Sequence, residues 1–282
     1  MSDTGTRPLL AIDGDSLAHR AYHALPKTIR RAEGRPAGAL VGFANMLLRL
    51  WDTETPRAVF VGWDTLDVPT YRHEAFEGYQ GGRQFDAELL EQLDLLPSLV
   101  EAFGFAYAKA PGYEADDFLA AAVAHEEARG GRTLVATSDR DAFQLASERT
   151  TILQPVRGVS ELRRVGPADV RERYGVAPSQ VADFIALRGD SADRIPGAAG
   201  VGEKKAAEIL REYGSVEAAL EAGRFSAQAE EVRLYRRIAS LDASAPLPPL
   251  ENQNPTWAEA SAFVRELGLN QLAGRLAERA AD

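Results

Sequence analysis

Leu9-Leu10-Ala11-Ile12-Asp13-Gly14-Asp15 is four apolar residues running straight into a turn rich in acid. A short apolar run closed by a turn signal reads as a buried strand. The pattern recurs. Ala58-Val59-Phe60-Val61 ends at Trp63-Asp64, and Thr133-Leu134-Val135-Ala136-Thr137 ends at Ser138-Asp139. Phe105 to Ala108 and Thr150 to Leu153 read as two more strands. Between them the apolar spacing turns helical: Ala37 to Trp51 puts Leu40, Phe43, Ala44, Leu47 and Leu48 on one face. Ala87 to Phe103 and Glu114 to Arg129 predict two further helices. Strands alternating with helices imply an α/β fold with a mostly parallel sheet. After about Gly166 the strand signal fades. Helices are expected over Val176 to Arg188, over Glu203 to Tyr213 and from Trp257 onward. We expect an α/β domain over 1–168 and a smaller helical domain over 169–282.

Ligands of open parallel sheets bind outside the carboxyl ends of the strands. Asp13, Asp64 and Asp139 fall at such ends. Glu114, Asp116 and Asp117 open a helix, Asp141 follows Asp139 closely, and Asp190 and Asp193 are three apart. Each cluster has a plainer reading. An Asp at a strand end is a common turn former or helix cap, and acids at a helix start favour the macrodipole. Asp190 and Asp193 also suit a solvated loop. Together, however, crowded carboxylates repel unless cations neutralise them. All-oxygen ligation selects hard cations, so Mg2+ or Mn2+ is expected. Two ions about 4 Å apart would clamp an in-line displacement at phosphorus.

The chain has 282 residues, no cysteine and a formal net charge of −10. Disulfides and thiolate metal sites are thereby excluded. A reducing cytoplasm is the expected setting, since no apolar run is long enough for a signal peptide or membrane span. An acidic chain argues against nucleic-acid binding taken alone. Yet the nine carboxylates named above nearly account for the deficit, so local basic segments can still grip phosphate.

Two such segments stand out. Ile195-Pro196-Gly197-Ala198-Ala199-Gly200-Val201-Gly202-Glu203-Lys204-Lys205 is a glycine-punctuated hairpin entering a helix. Glycines admit close backbone approach, and a helix start offers N–H groups to phosphate. Gly197, Gly200, Gly202, Lys204 and Lys205 are the candidates, with a plain helical connector as the alternative. Tyr71-Arg72-His73-Glu74 to Tyr79-Gln80-Gly81-Gly82-Arg83 interleaves aromatics and cations, which suits a single strand held by stacking and charge. An ordinary surface loop is the alternative there.

Together these residues resemble the 5′-nuclease family: the nuclease domain of bacterial DNA polymerase I and the flap endonucleases. The resemblance covers roughly residues 9 to 214. It runs through Ile12-Asp13-Gly14, Arg20-Ala21, Tyr71-Arg72-His73-Glu74, Pro111-Gly112-Tyr113-Glu114-Ala115-Asp116-Asp117, Ser138-Asp139-Arg140-Asp141, Gly189-Asp190-Ser191 and Ile195-Pro196-Gly197. It implies a PIN-like or resolvase-like core with a helical arch around 66–95 and a helix-hairpin-helix around 183–213. It implies that Asp13, Asp64, Glu114, Asp116, Asp117 and Asp139 serve a first metal ion. Asp141, Asp190 and Asp193 would serve a second. Arg72 and Arg83 would line the arch, Tyr22 would stack on a base with Arg20 close by, and the hairpin would hold duplex DNA. A K+ ion on the hairpin carbonyls is also implied. With no polymerase segment following, the chain resembles a standalone, monomeric member acting on 5′ flaps, nicks and gaps in replication and repair, near the nucleoid.

Three positions depart from the family pattern. Gln80 stands where an arch lysine is usual, Arg194 where asparagine is usual, and Ala199 where a second hairpin proline is usual. Gln80 supports a rival reading, a DNA-junction binder with weakened catalysis. A PIN-like ribonuclease is a third reading, and the Gly197 hairpin argues against it.

Overall fold

β1 (Leu9–Asp13) is buried along its whole length, as an unbroken apolar run in a parallel sheet requires. The computed structural model describes residues 7–66, 68–81, 85–157 and 161–281. β1 leads directly into α1 (Gly14–Ala24), then α2 (Gly38–Glu54) and β2 (Ala58–Gly62). Next come α3 (Tyr71–Ala75), α4 (Ala87–Leu93), α5 (Leu96–Ala102) and β3 (Ala106–Ala108). α6 (Ala115–Ala128), β4 (Thr133–Ala136), β5 (Thr150–Arg157) and β6 (Glu161–Val165) complete the sheet region. The rest is helical: α7 (Pro167–Tyr174), α8 (Val181–Arg188), α9 (Glu203–Tyr213), α10 (Val216–Glu221), α11 (Ala229–Ala239), α12 (Trp257–Glu266) and α13 (Asn270–Ala281).

The strand order is β3-β2-β1-β4-β5-β6. The first five are parallel, and β6 pairs antiparallel with β5. The chain therefore builds outward from β1 in one direction and then crosses to build outward from β4 in the other. Loops leaving β1 and β4 diverge, and the crevice between them is where such sheets bind ligands.

Alternate strand residues feed two cores. Leu9 and Ala11 pack with Phe118 of α6, in a cluster that continues into the helical unit through Phe184, Ile209 and Val232. Leu10 and Ile12 face the other way, onto α1, α2 and α5. α12 and α13 join that second cluster through Val264, Leu272 and Leu276. The expected helical domain over 169–282 is corrected accordingly: its last two helices cover the opposite face of the sheet from α8 to α11. The expected single helix over Ala87 to Phe103 is also two. Pro97 sits in the first turn of α5 and cannot continue α4, because it lacks an N–H. Among the described residues no helix is long and apolar enough to cross a membrane.

Candidate active site

Asp13 is the last residue of β1 and the N-cap of α1. Its Oδ1 accepts from the Ser16 N–H at 2.9 Å, and its Oδ2 accepts from the Thr137 hydroxyl at 2.7 Å. Thr137 directly follows β4, so this bond closes the β1/β4 crevice from beneath. Ser138 N–H donates to Ser16 Oγ across the same gap at 2.9 Å. Asp64, two residues past β2, accepts from Ala115 N–H at 2.7 Å and so seats the start of α6. Asp139 Oδ1 accepts from Asp141 N–H at 2.9 Å, which holds both acids on one tight turn. Asp190 Oδ1 likewise accepts from Ala192 N–H at 2.7 Å.

The cleft so formed measures about 670 Å3. Asp13, Asp64, Glu114, Asp116, Asp139, Asp141, Asp190 and Asp193 all line it, eight of the nine expected acids. Their proximity is written in their titration. Burial first, then Asp64 and Asp139, push Asp13 up to about 7. Asp116 is raised well above the carboxylate range by burial, then by Asp139 and Asp13. Asp141 is raised by burial, then by Asp139, Asp193 and Asp190. Glu114 is raised by burial, with Arg72 opposing. Each shift says that the ionised form lacks compensating charge.

Do these residues fit divalent cations? Asp116 Oδ1 is buried with no hydrogen-bond partner, a costly arrangement unless a cation engages it. The Ser138 hydroxyl beside the same turn is also buried and unpartnered. The donors are all hard oxygens. Among the described residues no three acids already converge as a finished cation cage, because several carboxylates are turned onto backbone N–H groups. The donor set fits Mg2+ or Mn2+, with side-chain adjustment on binding.

The ninth acid is elsewhere. Asp117 is fully buried and is the third residue of α6, where adjacent side chains diverge by about 100°. It accepts a fork from Arg72, both bonds 2.7 Å, and returns a cap to Glu114 N–H. Arg72 is only 2 % exposed and also donates to Ile238 O at 2.9 Å. The expectation that Asp117 binds metal and that Arg72 meets a DNA strand is thus corrected: the pair staples α3 to α6 and α11. Tyr22 is corrected too. It is 3 % exposed, its hydroxyl donates to Asp86, and Lys27 lies over its ring, so no face is presented to a base. Arg20 is half-buried on α1, next to the cleft residue His19. Arg83 lies outside the described residues.

Gln80 reaches the cleft wall. It donates to Tyr79 Oη at 2.9 Å and to Asp193 Oδ1 at 3.0 Å. Tyr79 in turn donates to Glu114 Oε2 at 2.9 Å. Asp15 was missed by sequence reasoning although it sits inside the opening motif. It lines the cleft, accepts from Asp64 N–H at 2.7 Å, and is raised well above its usual range by burial and Asp64. Its signal was a second acid in the first turn after β1. Arg140 and Arg188 also line the cleft, and Arg188 donates to Asp190 at 2.9 Å.

The hairpin is built around two glycines back to back. A Cβ on Gly197 (φ +75°) would stand 2.5 Å from Gly189 N and 2.8 Å from Leu187 O. Gly200 and Gly202 differ: a Cβ on either would meet open space. Gly202 caps α9 with no side chain closing its N–H groups, and Lys204 and Lys205 are exposed beside it. Lys205 donates to Gly200 O at 3.2 Å, so a lysine ammonium already engages one carbonyl of the hairpin implied to bind K+.

A carboxylate-lined switch point in an open α/β sheet, joined to a helical hairpin, defines a class of metal-dependent phosphodiester nucleases. Residues 8–175 match the family model of the 5′-3′ exonuclease N-terminal resolvase-like domain, and residues 176–259 match its C-terminal SAM fold. The chain belongs to the 5′-3′ exonuclease family. It is 42% identical to DNA polymerase I of Deinococcus radiodurans over 215 residues, 76% of this chain and 22% of that one. It is 33% identical to the Bacillus subtilis DNA polymerase I over 294 residues, 99% of this chain and 33% of that one. The chain thus spans about a fifth to a third of these relatives. The fold resembles bacteriophage T5 5′-exonuclease described with bound zinc, at TM-score 0.67, 21% identity, and 96% and 99% coverage of the two chains. It also resembles the catalytic core of Rad2 in complex with DNA, at TM-score 0.60, 15% identity, and 96% and 93% coverage.

Proposed function

We propose that the chain hydrolyses DNA phosphodiesters near 5′ ends and at the base of 5′ flaps, leaving 5′-phosphates, as a monomer in cytoplasmic replication and repair. One observation carries this reading: Asp13, Asp116, Asp139 and Asp141 face one another across the β1/β4 switch point, and a buried Asp116 oxygen has no partner. Two divalent ions, Mg2+ or Mn2+, would supply a water of lowered pKa and neutralise the leaving oxygen. Asp13, Asp64, Glu114, Asp116 and Asp139 would hold the first, and Asp141, Asp190 and Asp193 the second. Thr137 fixes the rotamer of Asp13, and the Tyr79 hydroxyl fixes that of Glu114. Arg140 and Arg188 offer charge to a phosphate entering the cleft. The open backbone at Gly200 and Gly202, with Lys204, would hold duplex phosphates without reading sequence.

The test is cleavage of a 5′-labelled flap DNA with Mg2+, with Mn2+ and with EDTA, beside Asp139→Ala. Metal-dependent cutting near the junction, lost in the variant, is the expected result. Tight binding without cutting in either metal would instead favour the junction-binding reading that Gln80 supports. A matched RNA flap, cut as fast as DNA, would move the assignment to a ribonuclease.

A further inference from the structure

A second groove, of about 690 Å3, opens from another face of α3. Thr70 and His73 border the mouth of the carboxylate cleft, whereas Tyr71 and Glu74 line this groove. The same division runs through the next segment. Glu114 lines the cleft, and its neighbour Tyr113 lines the groove. A single turn of helix therefore separates the two spaces. The floor is α11, which presents Arg233, Arg236 and Arg237 at positions i, i+3 and i+4 on one face. Three arginines and two tyrosines thus share one groove in a chain of net charge −10.

Arg237 is exposed, and its side chain makes no hydrogen bond or ion pair among the described residues. Arg233 is held by Glu217 and Glu230, all three well exposed, and such pairs exchange readily for a phosphate. Arg236 donates to Asp183 at 2.5 Å with half its side chain in solvent. Glu74 and Asp242 also line the groove, so it is no broad basic face of the kind a duplex backbone needs. Cations interleaved with half-buried aromatics suit one strand, its phosphates on arginine and its bases against tyrosine.

We propose that this groove holds the displaced 5′ single strand after it has passed α3, so that the length of the strand, beyond the nucleotides at the cleft, contributes to binding. This rests on the nuclease reading above. It adds a binding site distinct from the cleft and from the Gly197 hairpin.

The experiment compares a flap of a few nucleotides with one of about a dozen, enough to span such a site. Wild type should show the lower KM on the long flap. Arg237→Glu should raise the long-flap KM about tenfold, change the short-flap KM little, and leave the far-UV circular dichroism unchanged. Arg237→Lys should recover most of the loss. An Arg237→Glu variant that treats both flaps as wild type does, or that loses equally on both, overturns the groove. If wild type cuts neither flap, the nuclease reading fails separately. The groove is then judged by anisotropy of a labelled single strand in EDTA, where equal affinity of wild type and Arg237→Glu overturns it.

Discussion

Gln80 donates its amide to Asp193 Oδ1 at 3.0 Å, while its own backbone N–H donates to Asp193 O at 3.2 Å. One residue of the segment following α3 is thus bound twice to the loop that carries two cleft acids. Gln80 adopts φ +47°, a left-handed conformation that non-glycine residues rarely take, so the contact is held at some cost. Replacing Gln80 with Ala removes a hydrogen bond to a carboxylate, worth about 1.5–3 kcal/mol. The expected outcome is a loss of that order in unfolding free energy, read by urea titration, with turnover lowered as the Asp193 loop loosens. Gln80→Lys should do the opposite to turnover. An ammonium at this wall faces the phosphate in transit, and kcat in Mg2+ should rise on the order of tenfold. Wild-type kcat in Gln80→Lys would place the reacting phosphate away from this side chain.

The titration of the cleft predicts an unusual pH dependence for the metal-free protein. Asp13 is raised from 3.8 to about 7, and Asp15, Asp116 and Asp141 are raised as well. A folded-state pKa above the unfolded value means that the native state binds more protons in between. For Asp13 the stability so gained is fully present below about pH 4 and is lost as pH rises through about 7, at roughly 1.4 kcal/mol per pH unit for each proton of difference, and the other three acids act in the same direction. Divalent ions should remove this slope by replacing the protons. The check is Tm in EDTA and in Mg2+ across that range, where equal slopes would contradict the cluster. Asp116→Asn deletes one charge whose oxygen has no partner. It should raise the metal-free Tm by about 2–4 °C for each kcal/mol relieved, and it should abolish metal-dependent cutting.

Much of this site was legible because strand ends are legible. The apolar runs at Leu9, Ala58 and Thr133 located β1, β2 and β4, and parallel topology then forced Asp13, Asp64 and Asp139 to one edge. What sequence missed depends on rotation and on long-range contact. Asp116 and Asp117 are neighbours in sequence, yet helical geometry sends one to the cleft and the other to Arg72. Arg72 looked like a DNA ligand because its buried partner lies 45 residues away. Tyr22 looked available because its hydroxyl's partner, Asp86, lies 64 residues away and no periodicity shows that Lys27 folds back over the ring. The return of α12 and α13 to the second core was equally invisible, since an amphipathic stripe does not name its partner.

The Arg72–Asp117 pair is expected to govern stability. Both groups are buried, their fork is complete, and Asp117 also accepts from Asp242 N–H at 2.8 Å. Arg72→Ala leaves a buried carboxylate without its cation, and it should cost about 3–5 kcal/mol of unfolding free energy. Urea titration would measure it. A variant of wild-type stability with impaired DNA binding would return Arg72 to the nucleic-acid surface.

Gly197 and Gly202 separate folding from binding within one hairpin. At Gly197 both the positive φ and the contacts with the backbone of Leu187 to Gly189 forbid a Cβ. Gly197→Ala should therefore pull α8 and α9 apart at their junction and cost on the order of 1–3 kcal/mol, read as a lower Tm with or without DNA. Gly202 has ordinary extended backbone and open space where its Cβ would be. Gly202→Val should lower Tm only slightly, because nothing in the protein is displaced and the cost is that of a poorer N-cap. It should weaken duplex binding, because the added bulk stands where a phosphate would approach the exposed N–H groups of α9. Anisotropy with a blunt duplex gives the affinity, and salt dependence gives the number of phosphates engaged. A Tm only slightly lowered and equal affinity in Gly202→Val would remove the α9 start from the DNA-binding surface, and the duplex would then have to be held by other charge.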